Sequence, residues 1–135
     1  MNKQALKTYE TAQKTAIKLD ELERLVIARA TYRMTCAGEN YDDSKRSYDK
    51  YADALKFNLK LWNLIQSNIL ENPTRGTTKL RKSLLNLSLF IDKQTITALR
   101  HPDPNNLLPL IEINKSISGG LNGEKTQFSQ SEQAK

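Results

Sequence analysis

Cysteine and histidine are nearly missing: one of each, Cys36 and His101, in 135 residues. A single cysteine excludes an internal disulfide, and with a single histidine it excludes any closed Cys/His zinc site. No apolar run approaches the ~20 residues needed to cross a bilayer. Met1-Asn2-Lys3-Gln4 leads into a mixed pattern with no apolar h-region and no small-residue cleavage site, so a cytoplasmic protein with no membrane partner is expected. Phosphate-loop, dinucleotide, nucleophile-elbow and HExxH patterns are also missing, and Gly119-Gly120 follows a helical segment where a phosphate-cradling loop would precede one. His101 stands between Arg100 and Pro102 at the end of a helical segment, where a helix-terminal role accounts for it. Asp20, Glu21, Glu23, Asp42 and Asp43 lie at helix starts, where complementing the helix dipole accounts for them. These absences point away from an enzyme, from a catalytic, cofactor or metal site, and from a small-molecule substrate.

What remains is helical periodicity. The hydrophobic fraction of 38% and charged fraction of 27% are those of a globular chain, and its length suits a single all-α domain over residues 1–121. A small bundle of about five helices is expected, with a flexible polar tail over 122–135, where a lone Phe128 cannot offset the entropy of ordering. Segment one, about residues 3–18, aligns Leu6, Tyr9 and Ala16 or Ile17; segment two aligns Leu22, Leu25, Val26, Arg29 and Tyr32 and ends near Gly38. Asp20 is placed to cap segment two, although no Pro or Gly forces a break before it.

Segment three starts with Asp42 or Asp43 as cap and runs about 28 residues to Asn72, where Pro73 stops it. Tyr48, Tyr51, Ala52, Leu55, Leu59, Trp62, Ile65 and Ile69 share its apolar face, widened by Phe57, Leu61 and Leu64. The connector Thr74-Arg75-Gly76-Thr77-Thr78 delivers a hydroxyl to segment four, with Leu80, Leu84, Leu87 and Ile91 on one line and Leu85, Leu89, Ile96 and Leu99 beside it. Pro102 ends that helix, and Pro109 fits the first turn of segment five, whose buried line is Leu110, Ile113 or Asn114, Ile117 and Leu121.

Charge is uneven. The net is +6, and residues 44–100 alone hold 11 Lys or Arg against 4 Asp or Glu. Arg75, Lys79, Arg81 and Lys82 form a candidate basic patch at the start of segment four, suited to an acidic protein or a nucleic-acid backbone. No aromatic pair on a strand is present to stack bases, which makes RNA the second choice.

Two stretches carry more information than periodicity. Leu55, Asn58, Leu61 and Trp62 form one motif; Leu110, Ile111, Ile113, Asn114, Ile117, Gly120 and Leu121 form another; Leu80, Arg81, Leu84, Leu87 and Phe90 stand between them. In order and spacing, across roughly residues 52–123, they resemble the flagellar biosynthesis regulator FlaF family. Lys18-Leu19-Asp20 replaces the family's Ser-Pro-Arg-like start, and Thr77-Thr78-Lys79 replaces its Leu-Pro connector. The resemblance implies a role in flagellum assembly, influencing flagellin production or export after transcription, alongside a second regulator, FlbT. It makes Asn58, Leu61, Trp62, Arg81, Ile111 and Asn114 the candidate partner-binding positions, with Asn58 and Asn114 read first as buried polar groups that fix helix register. The expected function is a chaperone-like adaptor that binds flagellin; the alternatives are an RNA-binding regulator of flagellin translation and a subunit that stabilises another regulator.

Overall fold

A computed structural model describes residues 19–72 and 74–118. Among these the chain is all-helical: α1 (Glu21–Glu39), α2 (Lys45–Glu71), α3 (Thr78–Arg100), a 3-10 turn (Pro104–Leu107) and α4 (Leu108–Ile117). Where about five helices were expected, the described residues hold four α-helices, at segments two to five, and a 3-10 turn that was not expected. Segment one, Leu121 and the polar tail lie outside them.

The chain folds back on itself at each connection. Glu23 near the start of α1 meets Arg75 beyond the end of α2, and Tyr51 near the start of α2 meets Ala98 near the end of α3. Helices α1, α2 and α3 therefore run antiparallel in succession. Helix α4 closes the bundle against α1 and α3. Trp62, Tyr51, Ile27, Met34, Leu55, Ile65, Ile69, Leu84, Ile91, Leu107, Leu110 and Ile113 are its largest fully buried side chains.

Helix ends follow local chemistry. Asp20 caps α1 by accepting from the Glu23 backbone N–H at 2.7 Å while Glu23 Oε1 accepts from the Asp20 N–H at 3.0 Å, a reciprocal capping box. Ser44, and neither Asp42 nor Asp43, caps α2: its hydroxyl accepts from the Ser47 N–H. Asp42 is used one step earlier, accepting from the Ser44 N–H, and Asp43 takes the left-handed conformation with φ 68°. That conformation is tolerated by Asp better than by most residues and turns the chain into the helix. Thr77 caps α3, its hydroxyl accepting from the Leu80 N–H. Helix α1 ends near Gly38 as expected, at Glu39, with Asn40 as its cap. A Cβ on Gly38 would stand 3.2 Å from Leu107 Cδ1, so its bare backbone lets the 3-10 turn pack closely.

The apolar stripe of α1 is turned relative to expectation, while in α3 the first expected line is buried through Leu84, Leu87 and Ile91 and only the line beside it faces outward at Leu85, Leu89 and Ile96. In α1 the buried positions are Glu23, Ile27, Ala30, Thr31 and Met34, whereas Leu22, Leu25 and Tyr32 face outward. In α3 the buried positions are Leu84, Leu87, Phe90, Ile91, Thr95 and Ala98, whereas Leu85, Leu89 and Ile96 are exposed. Each buried stripe contains polar residues that the fold satisfies locally: Thr31 and Thr95 donate to the carbonyls of Ile27 and Ile91 four residues back. Leu64, expected on the second apolar flank of α2, is likewise exposed.

Candidate functional site

Three polar side chains meet in the middle of the bundle. Trp62 Nε1 donates to Asn114 Oδ1 at 2.8 Å, and Asn114 Nδ2 donates to Asn58 Oδ1 at 2.8 Å, joining α2 to α4. Trp62 is 1% exposed and both asparagines are at zero. An indole N–H can only donate, so it sets the orientation of the Asn114 amide, which sets that of Asn58 in turn. The relay has one direction and ends on a surplus donor: Asn58 Nδ2 is buried with no acceptor among the described residues.

At the end of the bundle where α2 stops, two arginines tie elements together. Arg81 donates to the carbonyl oxygens of Leu70 and Asn72 at 3.1 and 3.3 Å, supplying cations where the C-terminus of α2 leaves carbonyls without helical partners. Arg75 forms a two-pronged pair with Glu23 at 2.8 and 3.0 Å, linking the connector to the cap of α1. Hydrogen bonding from Arg75 holds the Glu23 carboxyl below its ordinary value, against a smaller opposing effect of burial. At the opposite end, the Tyr51 hydroxyl donates to the Ala98 carbonyl at 2.8 Å, with Tyr41 and Tyr48 packed around its ring.

The asparagine–tryptophan relay, Arg81 and α4 all fall inside the span that one family model covers. The family model for the flagellar protein FlaF matches residues 5–121. The chain belongs to the FlaF family. No curated protein and no solved structure matches it. FlaF membership brings a flagellum-related function with it.

In this FlaF chain the motif residues turn inward. Asn58, Leu61, Trp62, Ile111 and Asn114 are all buried, and Arg81 is half-buried at the end of α2. The basic patch divides: Arg75 and Arg81 hold internal partners, while Lys79 and Lys82 are exposed. Cys36 is half-buried beside Tyr32 in a groove of about 330 Å³ between α1 and α2, where Arg33 also lies over the Phe57 ring at 4.4 Å. Among the described residues no cluster of three or more His, Cys, Asp or Glu is placed to hold a metal ion, and no helix is long and apolar enough to cross a membrane.

Sequence reasoning missed the Glu23–Arg75 pair. Its signal was legible as Asp20-x-x-Glu23, the spacing of a capping box, but nothing local announces a partner 52 residues away. The pair makes stability depend on acid. Because the folded-state pKa of Glu23 is lowered, its contribution is complete above the ordinary value of 4.5 and is lost as pH falls through the lowered value. Glu23→Gln is expected to destabilise the protein by about 1–3 kcal/mol at neutral pH. The gap in melting temperature between wild type and variant should close as the pH is taken towards 3; a gap independent of pH would show that the carboxylate charge does not matter.

Proposed function

We propose that this FlaF-family protein is a non-enzymatic cytoplasmic adaptor that binds flagellin and supports its synthesis or export. The observation that carries the reading is the outward placement of large apolar side chains on an otherwise closed bundle. Leu22, Leu25, Leu64, Leu85, Leu89 and Ile96 are between 47% and 69% exposed, although the core has filled its own interior. Apolar side chains gathered on a surface mark interaction sites, and an amphipathic helix of an unassembled subunit is the kind of segment such faces cover. FlbT is the second protein partner this reading admits.

Nucleic-acid binding has less support. Two of the four cations expected to contact phosphate, Arg75 and Arg81, are engaged inside the fold. Titration of the purified protein with flagellin, and separately with the leader RNA of its messenger, at 50 and 200 mM salt decides between the readings. Flagellin binding should change less than about tenfold, whereas six to ten phosphate contacts would lose ~10³ to 10⁵ on duplex DNA and somewhat less on single strands. Salt-sensitive binding to RNA with none to flagellin would replace the proposal. A stable complex with FlbT that forms without any flagellin affinity would make the protein a stabilising subunit.

A further inference from the structure

The exposed apolar residues of α3 are arranged on one face. At 100° per residue, Leu85, Leu89 and Ile96 lie within about 40° of one another along the outside of the helix. Their exposures are 47%, 65% and 50%. On one margin of this line, within about 40° of Leu89, stand Lys82, Lys93 and Arg100; on the other stands Asp92, and all four are exposed. The face from residue 82 to residue 100 is about 27 Å long at 1.5 Å per residue. Leu85, Leu89 and Ile96 follow one another at steps of four and seven, which keeps them on one side of the helix as a short apolar line, with Asp92 at its edge.

From this arrangement we infer that the outer face of α3 is a docking surface for an amphipathic helix of the client protein, one that carries acidic residues along one margin of its apolar stripe. The inference deepens the adaptor reading and rests on it. Charge selects the occupant. Three cations against one carboxylate favour an acidic margin, with spacings of 11 and 7 residues between the cations for the partner's carboxylates to match. A second copy of the chain would bring a face of the same sign against this one. Residues 3–18 of the same chain hold Lys3, Lys7, Lys14 and Lys18 against Glu10 and are excluded on the same ground. A nucleic-acid backbone would satisfy the cations and leave the leucine line uncovered.

The test uses the full chain and two synthetic amphipathic helices with the same leucine line, one with glutamate and one with lysine along the margin. The glutamate peptide is expected to bind about tenfold tighter or more. Leu89→Glu should weaken it by about tenfold or more, and the Lys82→Glu/Lys93→Glu double variant should reverse the preference between the peptides. All three positions are exposed, and unchanged circular dichroism and melting temperature confirm the fold; should Leu89→Glu lose its fold, the double variant carries the test. Equal affinity for the two peptides overturns the inference, as does a wild-type dimer that Leu89→Glu dissociates. Flagellin itself is the third probe. Binding to wild type with loss in Leu89→Glu supports the inference; equal binding to both places the client elsewhere and overturns it while the adaptor function stands. Flagellin binding to neither protein removes the adaptor function itself.

Discussion

Asn114→Ala is expected to lower the stability of the fold by about 3–5 kcal/mol, more than its small volume would indicate. The amide is the middle member of the relay, so its removal leaves the Trp62 N–H without an acceptor and the Asn58 carbonyl without a donor. Each buried group left unsatisfied costs ~1–3 kcal/mol, and a small void adds to this. Asn58→Leu should cost less. It removes one acceptor for Asn114 but also eliminates the Asn58 Nδ2 donor that has no acceptor among the described residues. Denaturant unfolding of both variants measures the order directly, and equal losses would show that the surplus donor is satisfied in solution by water. If Asn58→Leu abolished flagellin binding while keeping wild-type helicity and melting temperature, Asn58 would have to be reassigned from the interior to the partner.

Trp62→Ala should be about as damaging, at about 3–5 kcal/mol, but for a different reason. The indole is 1% exposed between helices, and its loss empties a large volume that surrounding helices refill only in part. Against a total of ~5–15 kcal/mol for an ordinary domain, such a loss takes a large share of what holds the molecule together. Trp62→Phe keeps most of the apolar surface and deletes the donor, so a loss of about 1–3 kcal/mol is expected from the unsatisfied Asn114 oxygen. Combining Trp62→Phe with Asn114→Ala should then cost less than the two separately, because the second change removes the group orphaned by the first. Strict additivity would mean that the 2.8 Å contact contributes little. Trp62 is the sole tryptophan, so its fluorescence reports the surroundings of the relay in the Asn variants.

Helix identity was legible in the sequence because breakers and hydroxyls stand at the boundaries: Asp20, Thr77, Pro102 and Pro109 each act where their chemistry predicts. Competition between neighbouring candidates was not. Asp42, Asp43 and Ser44 are all acceptable caps, and the choice of Ser44 depends on Asp43 adopting φ 68° and on Ser47 returning a hydrogen bond to the turn. The faces of α1 and α3 were harder still. Apolar count favours Leu22 and Leu25, and adds Leu85 and Leu89 to the buried line of Leu84, Leu87 and Ile91, yet Glu23, Thr31 and Thr95 are buried: the threonines bond carbonyls four residues back on their own helices, and Glu23 finds a partner 52 residues away that no local pattern reveals.

The motif positions were legible as a set, while their mutual contacts were not. Asn58 and Trp62 lie one helical turn apart, and the sequence places both on α2; that Asn114 reaches between them follows only from the way α4 closes the bundle. The basic cluster shows the converse. Four cations near one helix start look alike in sequence, but Arg75 and Arg81 have planar, forked groups that reach a carboxylate and the last carbonyls of α2, whereas Lys79 and Lys82 remain in solvent.

The one-way relay also bears on how the molecule is made. Its two bonds join residues 52 and 56 positions apart, and the acceptor that the indole needs belongs to the helix synthesised after the other three described. During vectorial synthesis α1, α2 and α3 can assemble first, but their shared interior holds a donor with no acceptor until Asn114 arrives. Closure by α4 is thus proofread: a helix docked one turn out of place, about 5.4 Å, would bury the same oily surface and still leave the indole unanswered.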